Sequence, residues 1–317
     1  MAYKKRIFAV LISIIILFLL FRIVDIGDII DGLRKISFTT ILLAAFFYTL
    51  SYVFRATRFK SLNKKKINLS SLFIVVCLHN FYNNLFPART GEFSYIYLMK
   101  KRNIPIGQGV GSLIIARLLD LLFILIIILG MLFIIRESSS YLIQGAILII
   151  PLVLVISLPF LFIRFQKGLI RKLKSFLSWI GLNEQGAKNI ISKFEEMVDS
   201  LVIIKSKGVF LGAGISTLLI FTSQYLFFYF LLIGLGIDLN FTKIILAVAI
   251  VLIVHTFPIQ GVAGFGTYEG AWALSLMYLG ISRELSVTAG FVIHLVQIVF
   301  FVALGIVGFL LSHMQRN

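Results

Sequence analysis

Six charged side chains fall inside otherwise apolar segments: the acids Glu92, Asp120 and Glu269, and the arginines Arg55, Arg89 and Arg117. Each would cost about 3 kcal/mol or more near the centre of a bilayer, so each has to be paired or hydrated. Arg117 and Asp120 stand three residues apart, on one face of a helix, where an ion pair forms easily. The pair reads equally as structural or as substrate-contacting. Arg89, in the run FPARTGEF, has only Glu92 at helical spacing and stands where a half-helix is expected to begin. Thr90 is the expected N-cap there, as Thr267 is in a second segment of the same kind. Free amides and the positive dipole end of such a helix favour an anion, and a neighbouring arginine strengthens phosphate binding. Glu92 and Glu269 read equally as acids that only complement their own helix starts.

Around these charges stand residues that shape backbone or supply hydrogen bonds. Gln260, Gly261, Gly264 and Gly266 let a chain turn sharply and approach a headgroup closely. Asn80, Asn83 and Asn84 either line the same cavity or satisfy the backbone of a broken helix. His79, His255 and His294 read as hydrogen-bonded packing residues rather than catalysts. No nucleophile and base stand at a recognisable spacing, and no cluster of Cys, His and carboxylates has metal-ligand spacing. The single cysteine, Cys77, excludes an intramolecular disulfide. The expectation is a protein that is not an enzyme and uses no metal or cofactor.

The elements that must hold these residues are legible from hydropathy. With 60% hydrophobic and 14% charged residues in 317, and a mean hydropathy of +1.03, the chain is far outside soluble norms. Its net charge of +17 sits in short blocks between apolar runs, which sets membrane orientation and argues against nucleic acid as a partner. The fold class expected is all-α and polytopic, with about six full spans: 7–24, 39–59, 107–135, 141–163, 209–235 and 285–312. The first is read as a retained helix rather than a cleaved signal. Two further apolar stretches, 71–100 and 242–282, are interrupted by Pro, Gly and polar residues and read as re-entrant helical hairpins, with two full crossings each as the alternative. Placing both termini in the cytoplasm puts 21 Lys and Arg inside and six outside, as the positive-inside rule asks. Segment 164–207 carries two amphipathic patterns, one at Leu169, Leu173, Phe176, Leu177 and Ile180, the other from Ile190 to Leu201. It reads either as a surface helix drawn to anionic headgroups or as a connector lying on the membrane.

An offset of 177 pairs Thr90 with Thr267, Glu92 with Glu269, Arg117 with His294 and Asp120 with Gln297. It also maps unit 39–135 onto unit 209–312, each a span, a hairpin and a span within one membrane domain covering 1–317. By the charge count the two units have opposite orientation, the inverted-repeat plan of many transporters.

The runs NNLFPARTGEFSYIYL, IIARLLDLLFILIIILG and FPIQGVAGFGTYEGAWAL, the last followed by Gly280, resemble the flippase-like membrane domain family named after the transmembrane region of lysyl-phosphatidylglycerol synthase. The resemblance covers nearly the whole chain. It implies a prokaryotic inner-membrane protein associated with lipid translocation, and it carries over Asn84, Pro87, Arg89, Gly91 and Glu92, then Arg117 and Asp120, then Pro258, Gly264, Gly266, Glu269 and Gly270. With the chain ending at Asn317 just after the last span, the soluble synthase domain has no expected counterpart, and synthase activity is not implied. The function expected is movement of an anionic or lipid-linked headgroup, with membrane lipids as partners. The predicted binding set takes Asn80, Asn84, Arg89, Gly91 and Glu92 from the first hairpin, Arg117 and Asp120 from the next span, and Gly264, Gly266, Glu269 and His294 from the second unit. The alternative is a non-transporting scaffold for a lipid-modifying or glycosyl-transfer enzyme. A homo-oligomer is possible on this reading, without a small-residue motif to support one.

Overall fold

A computed structural model describes residues 15–63, 67–135, 140–202, 206–257 and 260–315. The start of the first expected span (7–14), the basic residues Lys4–Arg6, Lys64–Lys66, Lys205 and Arg316, the loop residues Arg136 and Glu137, and Pro258 lie outside the described residues. Among those described, all regular structure is helical. In chain order the helices are α1 (15–20), α2 (Ile26–Lys35), α3 (Phe38–Leu62), α4 (Leu69–Leu85), α5 (Glu92–Lys100), α6 (Ile106–Ile135), α7 (Ser140–Trp179), α8 (Glu184–Val202), α9 (Lys207–Gly234), α10 (Phe241–Thr256), α11 (Thr267–Tyr278) and α12 (Arg283–Met314).

Among the described residues, four helices are long and apolar enough to cross a membrane: Phe38–Leu62, Ile106–Met131, Gly208–Gly234 and Arg283–Met314. They are the second, third, fifth and sixth expected spans, and the chain is an all-α polytopic membrane protein. Local chemistry starts several helices where the sequence demands. Ser37 Oγ accepts the Thr40 amide at 3.1 Å to open α3, and Asn240 Oδ1 accepts the Lys243 amide at 2.8 Å to open α10.

Three expectations change. The span at 141–163 does not end there: α7 runs on through the amphipathic stretch to Trp179, 40 residues or about 60 Å at 1.5 Å per residue, twice a hydrocarbon core. The loop after the first span is a helix, α2. Its acids organise the start, with the Asp25 amide donating to Asp28 Oδ2 at 3.1 Å, and its Ile29 and Gly32 are buried. Gly32 lies under Val292 and Thr288 of α12. The amphipathic helix α8 spends much of its apolar face on protein rather than on lipid. Ile191, Val198 and Leu201 are buried, and α8 lies along α6 with the Gly107 amide donating to Glu196 at 3.2 Å. In the last turns of α7, by contrast, Phe176 and Trp179 remain exposed near Arg171, Lys172 and Lys174.

The order long helix, short helix, 3-10 turn, short helix, long helix occurs twice, as α3 to α6 and as α9 to α12. The 3-10 turns are Pro87–Arg89 and Val262–Gly264, and each has an alanine at its middle in the left-handed region, Ala88 at φ 52° and Ala263 at φ 53°. Within each unit the two short helices fold back on one another, α4 on α5 and α10 on α11. The two units cross-pack, α3 against α9 and each last long helix against the other unit's hairpin, α12 against α4 and α6 against α10. The α12–α4 contact is close because Gly305 sits under Phe81 and Gly308 under Cys77. The hairpin tips meet directly: the Ala88 amide donates to the Gln260 carbonyl at 2.8 Å.

Candidate functional site

Where the hairpin tips meet, α3, α4, α6, α9, α10, α11 and α12 line a cavity of about 100 Å³, room for several waters. Its charged lining is Arg55, Arg89, Arg117 and Asp120. Arg58 and Glu92 are bonded to that lining from behind. Arg58 donates to Asp120 at 2.5 and 3.3 Å, and Arg117 reaches Asp120 at 3.2 Å and Glu92 at 2.7 Å. Arg89 closes the chain with Glu92 at 2.9 Å.

The predicted i, i+3 pairs Arg117–Asp120 and Arg89–Glu92 are therefore both formed, joined into one network by an Arg117–Glu92 bond between α6 and α5. The nearest partner of Asp120 is Arg58, one residue from the end of the expected span 39–59. Arg58 has a side chain only 1% exposed and holds Asp120 from 62 residues away. No local spacing announces that pair. The usable signal was that Arg55 and Arg58, three apart on α3, share a helix face.

Arg89 is held in the left-handed region at φ 54° and donates from Nη1 to the carbonyls of His255 (3.2 Å) and Thr256 (2.8 Å), so it also ties the first hairpin to the end of α10. His79 Nε2 lies 3.4 Å from Arg117 Nη2 and its Nδ1 lies 3.2 Å from Ser94 Oγ. A guanidinium only donates, so Nε2 accepts and Nδ1 carries the hydrogen, which makes His79 a neutral bracing residue. Asn80 and Asn84 both line the cavity, and each gives its amide nitrogen to the carbonyl four residues back, Val76 at 2.9 Å and Asn80 at 2.8 Å.

Among the described residues, Arg55 has no hydrogen-bond or ion-pair partner. Four arginines thus face two carboxylates, and the site carries two positive charges in excess. In a low-dielectric interior such a surplus is costly unless it is compensated.

The remaining predicted residues stand apart from the cavity. Gly91 is the N-cap of α5, and a Cβ there would lie 2.2 Å from the Tyr82 carbonyl oxygen, so it is a glycine of close approach between the two arms of the hairpin. Thr90 and Thr267 do not cap the helices. Each precedes or begins its helix and donates back to the 3-10 turn, to the Pro87 carbonyl at 3.0 Å and the Gly264 carbonyl at 3.0 Å. Gly266 is the N-cap of α11, and its amide is taken by Glu269 at 2.7 Å, so the acid does complement its own helix start. Gly264 and Gly266 have φ of 81° and 83°, which a side chain would strain. Glu269 is fully buried and bonded to His294 at 2.7 Å. At the offset of 177 this pair occupies the place of Glu92 and Arg117, and both pairs are separated by 25 residues and 2.7 Å.

Comparison with known proteins bears on this arrangement in one way. No curated protein matches the chain. A family model described as the lysylphosphatidylglycerol synthase TM region matches residues 6–305, a stretch that contains both hairpins and every residue of the charged network. The chain belongs to that family of membrane domains.

Proposed function

We propose that the chain is a flippase-like transporter that moves a lipid with an anionic, phosphate-bearing headgroup across the cytoplasmic membrane. The observation that carries this reading is the surplus of two positive charges around a cavity enclosed by membrane-embedded helices, with Arg55 unpaired among the described residues. A phosphate would neutralise it and take the fork of an arginine in two parallel hydrogen bonds. The fold supports the rest of the mechanism. Helices of 9 to 17 residues in the hairpins are shorter than a full crossing, and the reading takes them as re-entrant from opposite faces. Both termini are then cytoplasmic and the two units form an inverted repeat. Rocking of one hairpin against the other at the Ala88–Gln260 contact opens the cavity to each side in turn.

The test is translocation of fluorescently labelled phosphatidylglycerol in proteoliposomes, with labelled phosphatidylcholine as comparison. Protein-dependent transfer that favours the anionic lipid and falls at least tenfold in Arg89→Ala supports the proposal. No protein-dependent transfer of any anionic lipid counts against it and favours a scaffold for a lipid-modifying enzyme, which co-purification would then reveal.

A further inference from the structure

The anion cavity leaves one buried acidic group unused. The Glu269 and His294 side chains are 0% and 4% exposed, and neither lines the cavity. Their neighbours fix how many protons they hold. A carbonyl oxygen only accepts, so His294 Nε2, 2.9 Å from the Ala263 carbonyl, carries a hydrogen. The Gly266 amide occupies Glu269 Oε2 at 2.7 Å. His294 Nδ1 and Glu269 Oε1 then face each other at 2.7 Å. A bare imidazole nitrogen against a carboxylate would oppose two lone pairs, so a further hydrogen lies between them, on one atom or the other. Loaded, the pair is neutral as a whole. Unloaded, it is a buried carboxylate beside a neutral imidazole, with one negative charge.

We propose that Glu269 and His294 form a proton-binding site that couples movement of the anionic lipid to protons, a reading that rests on the transport function above. One side chain, Tyr268, stands between the pair and the cavity. The Tyr268 ring lies 4.6 Å from the His294 ring and 5.6 Å from the His255 ring, and its hydroxyl donates to Gln297. Tyr268, His255 and Gln297 all line the cavity. The titratable groups facing the pair are Tyr268 on α11, His255 on α10, Tyr48 of α3 acting on Tyr268, and Arg89, bonded to the His255 carbonyl. Uncharged contacts come from Gly290 of α12, Phe265 beside the His294 ring, and Ile16 of α1 near Gly270.

The electrostatics give the sense of the coupling. Unloaded, the pair sets a negative charge near an anion in the cavity; loaded, it sets none. Anion and proton therefore bind together and leave together, which is symport. Release passes the proton from the Nδ1–Oε1 bond to water that reaches His294 when hairpin movement shifts the Tyr268 ring aside.

The experiment uses phosphatidylcholine vesicles containing the whole protein, a trace of fluorescent phosphatidylglycerol and a lumenal pH dye, with a pH gradient imposed in either direction. The labelled lipid should move toward the alkaline leaflet at least tenfold faster than in protein-free vesicles, with protons entering alongside it. In Glu269→Gln, whose carboxamide does not release a proton, the rate should be the same with and without the gradient. Wild-type protein that translocates equally fast with and without a gradient and moves no protons overturns the coupling, and it leaves the transport reading standing. A Glu269→Gln protein with a full gradient response overturns the coupling as well. Absence of any protein-dependent translocation removes both proposals together. The wild-type measurement decides the matter even if the variant does not fold.

Discussion

Replacing Arg58 with Met tests whether the charge network is held together from α3. Arg58 is 1% exposed and binds Asp120 through two nitrogens at 2.5 and 3.3 Å, with a third contact to Thr217 at 3.3 Å. Removing one partner of a buried pair typically costs about 3–5 kcal/mol, because the other charge is left desolvated and uncompensated. Asp120 keeps Arg117 at 3.2 Å and borders the cavity, so the low end, about 3 kcal/mol, is expected. Adding Asp120→Asn removes the stranded charge and should recover about 2 kcal/mol, leaving the double variant about 1 kcal/mol below wild type. Equilibrium unfolding in mixed micelles with increasing sodium dodecyl sulfate measures all four members of the cycle. A single variant within 1 kcal/mol of wild type, or a double variant no more stable than the single one, would refute the reasoning, since Asp120 would then not depend on Arg58.

Arg55→Leu should have the opposite profile. Among the described residues it breaks no bond, so stability is kept while affinity for phosphatidylglycerol falls about tenfold, or 1.4 kcal/mol, as read by lipid titration. Gly305→Val should destabilise by about 1–3 kcal/mol in the same unfolding assay, because even a Cβ there comes within 2.5 Å of the Phe81 ring. Ala88→Gly and Ala263→Gly should each stabilise by up to about 1 kcal/mol, since both alanines sit at positive φ, in backbone that glycine adopts without a Cβ clash. Gly107→Leu should detach α8 from α6 and open the connection between them to limited proteolysis, as a Cβ there meets the Lys193 carbonyl oxygen at 2.3 Å.

Hydropathy made most of the scaffold legible. A run of twenty apolar residues has few alternatives to a spanning helix, and the four long helices fall within a few residues of where the runs were. The interruptions at Asn83 to Pro87 and at Gln260 to Gly266 marked the hairpin tips for a related reason, since Pro, Gly and polar residues break an apolar helical run. Local charge pairs were legible because helical spacing fixes them, as Arg117 and Asp120 illustrate. Pairs made by tertiary packing were not. Arg58 has no acid at helical spacing and shows its partner only when α3 and α6 are laid side by side, and the Glu269–His294 bond shows only as one match among several at an offset of 177. Helix α2 escaped because its apolar face is narrow and it is short, while the extension of α7 escaped because an amphipathic run does not reveal whether it continues a span or lies apart from it.

The most direct test of the account is native mass spectrometry of the purified protein with its co-isolated lipids, wild type beside Arg89→Ala. The account predicts that wild type retains one anionic lipid class and that the variant, lacking the guanidinium that joins Glu92 to the end of α10, loses it. Equal and unselective retention in both proteins would contradict an anion site at the meeting point of the hairpins.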